Sequence, residues 1–402
     1  MPLQQRSPGL GSRPAALVLL GLLLILAVLS TAQASKNALE RSQDFQWSGV
    51  RLLLAHIDPW ADYLQNDYLH RSIHLSQNPN YLPILYLLLA PLGLLSLVPA
   101  EMTWFALNVV FAIASGILAA RFYGLGRRGV AAVVFLLLIA TPTRMTFGNG
   151  QQGLFVLLLW SASLLAPRLT DARSAVAGIS YFKFNFAPPL FLYLLLRGGI
   201  RAVLLSAVPS AIATSLIWLW LTRGRDPSEL LRLVAEPFAV SRTGYFPNGG
   251  DPNLMDVIQA KVLHINLQNP VVPLGVTAIT LGAALLVCFT LLYSAVRRHP
   301  QSSGQWQMAL LATASVGLFK HHFYDTVVLL FPLCHALRLW RSRHAQVALA
   351  AIAYLWYLQR AIDATHIALP NLFVFQFAVL MLLLTMTYQL RIFEERTYAS
   401  VG

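Results

Sequence analysis

The sequence is short of charge, of cysteine and of any phosphate-cradling signature. Only 11% of its 402 residues are charged, against about 25% in an ordinary soluble domain, and 57% are hydrophobic, which excludes a cytosolic globular enzyme. Its two cysteines, Cys288 and Cys334, stand inside apolar runs without metal-ligand spacing, so neither a disulfide framework nor a zinc site is supported. There is no Asp-x-Asp pair of the kind that bridges a nucleotide-sugar diphosphate, and no glycine-rich phosphate loop. No fixed-period repeat, low-complexity stretch or pair of broken helices marks the inverted halves of a secondary transporter.

What the chain has instead is apolar length. Runs near the length of a bilayer-crossing helix, about 20 residues, recur near 14–34, 81–98, 104–122, 130–141, 153–166, 174–196, 203–221, 272–294, 306–319, 323–340, 345–361 and 370–390. The expectation is an all-α polytopic membrane protein of about twelve transmembrane helices, one unit over residues 1–402, with both termini in the cytoplasm. Arg6 and Arg13 before the run Ala15–Ser30, followed by Ala32-Gln33-Ala34, imitate a cleavable signal peptide. The run is long for a signal core and more spans follow it, so it reads as an uncleaved first helix.

The 29 Lys+Arg outnumber the 16 Asp+Glu, a net charge of +13. Short clusters such as Arg197/Arg201, Arg297/Arg298 and Arg338/Arg341/Arg343 lie between apolar runs, as cytoplasmic loops require. They point to anionic membrane lipids and not to nucleic acid. Arg121, Arg127 and Arg128 fall on the opposite side in the twelve-span count, against that bias.

Two segments, 35–80 and 222–271, are too polar to span and fall outside. The first collects Glu40, Asp44, Asp58, Asp62 and Asp67, five of the sixteen carboxylates, with His56, His70 and His74. That pattern suits either a solvated loop or a catalytic one. Within it, residues 44–58 carry apolar positions at helical spacing, suggesting a helix on the membrane surface opened by Asp44 and closed by Asp58-Pro59. If continuous, it separates the two carboxylates by about 21 Å, so only one of them can be a catalytic base.

Lys183 is flanked by apolar sequence, where an isolated charge at mid-membrane costs about 2.5–3.5 kcal/mol. Either a lipid phosphate partners it, or it snorkels to an interface from a broken helix. Lys320-His321-His322-Phe-Tyr324-Asp325 joins two apolar runs at an outer turn and suits a phosphate or sugar site, or an ordinary turn. Asn149-Gly-Gln151-Gln-Gly153 opens a helix, as a cap or as a headgroup ligand. The stretch Tyr245–Asp256 is turn-rich and reads as one wall of a cleft.

Taken together, these motifs resemble the GT-C superfamily of polyprenyl-phosphate-sugar-dependent glycosyltransferases and, within it, family 87. The resemblance rests on Asp44-Phe-Gln-Trp with Asp58-Pro-Trp60, Tyr81-Leu-Pro83 with Ala90-Pro-Leu92, Gly150-Gln151, Lys183 with Pro188, and His321 with Tyr324-Asp325. Their order follows the family over most of residues 35–335. Trp60, Leu82 and the Phe319-Lys320 pair depart from the family's usual tyrosine, proline and Ser-Pro, which leaves the sugar and acceptor open.

The resemblance implies a polyprenyl-phosphate-linked donor, mannose first among the sugars, a glycolipid or glycan acceptor, and a site on the periplasmic face of a bacterial-type inner membrane. It gives a first-loop aspartate, Asp44 with Asp58 as alternative, the part of general base; the chemistry of the residues themselves makes Lys183, Lys320, His321, His322, Tyr324, Asp325 and Gln151 the expected contacts to the donor phosphate and sugar. No metal or cofactor is required. A lipid or solute transporter also explains the spans and the buried lysine, but it predicts ionisable groups within the helices. A noncatalytic assembly subunit predicts loop carboxylates that tolerate replacement.

Overall fold

The computed structural model describes residues 13–41, 44–66, 70–72, 77–165, 169–243, 253–259, 263, 273–298, 304–359 and 372–399; the side chains of residues 13, 41, 44, 242, 243, 298, 372, 373 and 392–399 lie outside that description. Among the described residues the chain is helical, with no strand. Among the described residues five helices are long and apolar enough to cross a membrane: Pro14–Glu40, Leu97–Phe122, Phe184–Thr222, Leu274–Arg297 and Val374–Arg391. A sixth span is made if α6 (Arg127–Ile139) and α7 (Thr141–Gly148), bent by 57°, count as one. These helices fit a membrane protein, but the expected twelve spans do not emerge as twelve helices of spanning length.

The difference has local causes. The run 81–98 forms only α4 (Pro83–Gly93), begun by Pro83 and interrupted by Pro91, and it folds back on α2 (Trp47–Leu54). Gly93 lies so close to Val50 that an added Cβ would stand 2.4 Å from Val50 Cγ1, and Trp47 Nε1 donates to Leu95 O at 3.1 Å. The run therefore stays at one end of the molecule, and α5 (Leu97–Phe122) starts from that same end. The run 174–196 is divided at Lys183, where two 3-10 turns separate α9 (Asp171–Ile179) from α10 (Ala187–Thr222). Inside α10, Gly199 has φ 69° and ψ −167°, a conformation costly for any residue with a Cβ, and the helix is kinked there. Residues 323–340 likewise divide into a 3-10 turn, Phe323–Leu329, and a nine-residue helix, Leu330–Arg338.

Contacts sort the turns into two ends. Tyr123 Oη donates to Gln305 O at 2.8 Å, Arg197 Nη1 donates to Leu164 O at 3.5 Å, and a Cβ on Gly304 would lie 4.0 Å from Arg197 Nη2. The turn bearing Arg121, Arg127 and Arg128 thus shares an end with Arg197. This removes the exception to the charge bias, because the 81–98 run does not pass through. The opposite end holds described parts of the polar segments: Trp220 Nε1, just before the second, donates to Leu53 O of the first at 2.7 Å, and the His56 ring stacks on Trp220 at 4.1 Å.

Helices approach closely through small residues, as membrane bundles require. A Cβ on Gly178 of α9 would stand 1.8 Å from Ser206 O of α10, and Tyr181 Oη lies 2.9 Å from Ser206 Oγ across the same seam. The obstacle is backbone and cannot swing away. Gly178→Ala should therefore destabilise by about 1–3 kcal/mol or more, read as a lower thermal midpoint in detergent. Gly282→Ala, in α13 (Leu274–Tyr293), meets nothing within 4 Å and should leave the midpoint unchanged or slightly raised.

Candidate active site

At the end carrying the polar segments, the break at Lys183 meets the turn that opens at Phe323. Lys183 Nζ donates to Asp325 Oδ1 across 142 residues of sequence, and the two side chains are 4% and 0% exposed. The break frees Lys183 from helical packing, while the 3-10 turn projects Asp325 inward. His321 Nδ1 lies 3.4 Å from Asp325 Oδ2, and its Nε2 lies 3.3 Å from Ser315 Oγ of α14 (Gly304–Leu318). The His322 backbone N–H donates to Asp325 Oδ2 at 3.3 Å. Asp325 therefore gathers an ammonium, an imidazole and a backbone amide, which satisfies a buried carboxylate.

Aromatic rings close around this pair. The Lys183 ammonium sits 4.7 Å from the Tyr324 ring centroid, a cation–π distance. His322 stacks on Tyr324 at 5.0 Å, and Phe186 lies 4.3 Å from the His321 ring. The loop 149–153 comes against the same turn because position 153 is glycine: an added Cβ would meet Tyr324 O at 3.2 Å and Asp325 Oδ1 at 3.5 Å. From that loop Gln151 Oε1 accepts from Tyr81 Oη at 3.3 Å. So Lys183, His321, His322, Tyr324, Asp325 and Gln151 come together. The sequence-based expectation of a lipid phosphate as counter-ion to Lys183 differs from what is found, since Asp325 supplies that charge from within. Lys320 is exposed and faces the field of Asp256.

Asp44 opens the 3-10 turn Asp44–Gln46; its side chain lies outside the described residues. The expected continuous helix over 44–58 is instead broken twice. Phe45 and Gln46 take φ 40° and 76° at one break, and His56 takes φ 59° at the other. Asp58 caps a separate helix, α3 (Pro59–Gln65), accepting from Trp60 N at 2.9 Å and Ala61 N at 3.0 Å. The Asp-Pro pair is thus a helix start and not the stop expected of it, since the preceding helix α2 ends at Leu54.

Asp58 is also tied to the second polar segment. Arg232 of α11 (Ser228–Thr243) donates to Asp58 Oδ2 at 3.1 Å and to Glu236 Oε1 at 3.3 Å, and also pairs with Glu229. One guanidinium thus holds three carboxylates and clasps α11 to α3. Burial, then the charge of Asp58, pushes the Glu236 carboxyl up to about 7, with Arg232 opposing. A folded-state value raised above the ordinary 4.5 means that the folded form holds the proton more tightly. The stabilisation is then complete below about pH 4.5 and lost as pH rises through about 7. We expect the thermal midpoint to fall over that window, and Glu236→Gln to flatten the dependence.

A further buried carboxylate, Asp256, accepts from Asn253 Nδ2 at 2.7 Å. Burial raises its pKa and the Lys320 ammonium opposes. The rest of the stretch 245–252, expected as a cleft wall, lies outside the described residues, as do Asp67 and His74. Among the described residues no group of three or more His, Cys, Asp or Glu is arranged to hold a metal ion. Sequence reasoning missed Arg232, Gln77, Tyr86 and Trp104 as parts of this end, and it quoted Gln46 and Tyr81 without assigning them a role. Tyr86 and Trp104 stand in apolar runs, and Gln77 and Arg232 in ordinary polar stretches, so none carries a chemical signature along the chain.

Comparison with known families gives one match. The model of glycosyltransferase family 87 matches residues 80–320, more than half of the chain. No curated protein and no solved structure matches it.

Proposed function

The chain belongs to glycosyltransferase family 87, and from that premise we propose that it is an inverting transferase that takes a sugar, mannose first, from a polyprenyl-phosphate donor to a glycolipid or glycan acceptor of the cell envelope. The observation that carries this reading is the meeting, at one end, of the Asp44 turn, the Lys183–Asp325 pair and the loop holding Gln151. The arginine-rich end fits the cytoplasm under the positive-inside rule, which leaves the site facing outside, where lipid-linked donors replace nucleotide sugars.

In the proposed reaction the Asp44 carboxylate takes the proton of the acceptor hydroxyl. The hydroxyl oxygen attacks the anomeric carbon from the face opposite the phosphate, and the carbon–oxygen bond to phosphate breaks. Polyprenyl phosphate leaves as a stabilised anion, so a single carboxylate suffices, unlike the two that glycoside hydrolysis needs. Lys183 is neutralised by Asp325, so the exposed Lys320 supplies the cation for the departing phosphate, and His321 and the Lys183–Asp325 pair hold its turn in place. The transporter reading is less well served, because the buried lysine has a fixed internal partner.

The stereochemistry tests this. Transfer from a synthetic polyprenyl-phosphate sugar of defined anomeric configuration should give a product of the opposite configuration by NMR. Retained configuration would rule out the single-base mechanism.

A further inference from the structure

Two consecutive residues with side chains, Phe45 and Gln46, hold left-handed backbone conformations immediately after the proposed base, at φ 40°, ψ 30° and φ 76°, ψ 13°. Non-glycine residues rarely adopt this region, and such a conformation is strained, so it persists only where its surroundings over-determine it. Here they do. Gln46, 2% exposed, donates from Nε2 to Gln77 Oε1 and to Asn78 O, both at 3.0 Å, and accepts at Oε1 from Tyr86 Oη at 2.7 Å. Gln77 Nε2 in turn donates to Asn149 O at 3.1 Å.

Phe45, fully buried, stacks on Trp104 at 5.7 Å. Trp104 Nε1 donates to Gly150 O at 3.0 Å, and Gln152 Nε2 donates to Phe45 O at 3.4 Å. Gly150 has φ 64°, and a Cβ there would stand 2.7 Å from Phe45 Cβ. The strained turn is thus locked from both sides onto the loop 149–152, whose Gln151 faces the Lys183–Asp325 site through Tyr81.

We infer that Gln46 is a positioning residue for transfer: its buried amide network fixes the turn that presents Asp44 to the acceptor. This rests on Asp44 being the base. Strain concentrated beside a reacting group is a means of pre-organisation, and the Gln46 amide supplies three of the hydrogen bonds that hold this turn. A purely structural role would lower stability without selectively lowering turnover.

The test compares Gln46→Leu, Gln46→Glu, Tyr86→Phe and Asp44→Asn in nanodiscs, with a synthetic polyprenyl-phosphate-mannose donor and a membrane lipid extract as acceptor. For Q46L and Y86F we expect kcat to fall at least tenfold while the donor KM stays within twofold. Q46E in its protonated form still donates from one oxygen and accepts at the other, so its kcat relative to wild type at the same pH should be highest at low pH and fall as pH rises. A kcat within threefold of wild type for both Q46L and Y86F, with D44N inactive, would overturn the positioning role alone. Wild-type turnover by D44N would overturn the assignment of the base, and the inference with it. A rise in KM matching the fall in kcat/KM would assign Gln46 to donor binding and equally contradict the proposal.

Discussion

Replacing Lys183 with methionine is expected to destabilise the protein by about 3–5 kcal/mol, because it leaves Asp325 buried without its counter-charge. The pair is closed to solvent, at 4% and 0% exposure, and among the described residues Asp325 otherwise has an imidazole at 3.4 Å and a backbone amide at 3.3 Å. Neither carries a fixed charge. The double variant Lys183→Met/Asp325→Leu should recover most of the loss, since replacing a whole buried ion pair by apolar side chains of similar volume is often neutral or stabilising. Thermal or SDS unfolding in detergent separates the cases. A single variant as stable as wild type would mean that water or another cation reaches Asp325.

The second large effect concerns turnover. Asp44→Asn should lower transfer by about 10²–10⁴-fold, the usual contribution of a general base, with expression and thermal midpoint unchanged because the side chains are nearly isosteric. Asp58→Asn should behave differently. Asp58 spends its carboxylate on two backbone amides and the Arg232 guanidinium, so its replacement loosens the clasp between α3 and α11 and registers as lost stability. Comparing the two variants for turnover and for unfolding distinguishes the base from the clasp.

How far the sequence shows this depends on the residue. Apolar runs mark helices, but whether a run passes from one end to the other is set by packing. Pro83, Pro91 and the close seat of Gly93 on Val50 turn the 81–98 run back, and only the fold shows that this brings Arg121, Arg127 and Arg128 to the end that holds Arg197. That Lys183 needs a partner follows from the cost of a buried charge. That the partner is Asp325 does not, because 142 residues separate them and nothing local joins the two motifs. The helix over 44–58 reads as continuous from its apolar spacing, yet Phe45, Gln46 and His56 all take positive φ. Their backbone is imposed by contacts with Trp104, Tyr86 and Trp220, which lie far along the chain.

The central claim, a membrane transferase fed by a lipid-linked donor, is tested most directly by offering the purified protein two labelled donors with the same acceptor extract. One is synthetic polyprenyl-phosphate-mannose, the other a nucleotide-activated mannose, and label is followed into the lipid fraction. Transfer from the polyprenyl donor alone is the predicted result. Transfer from the nucleotide sugar alone, with polyprenyl-phosphate-linked sugars inert, would contradict the account.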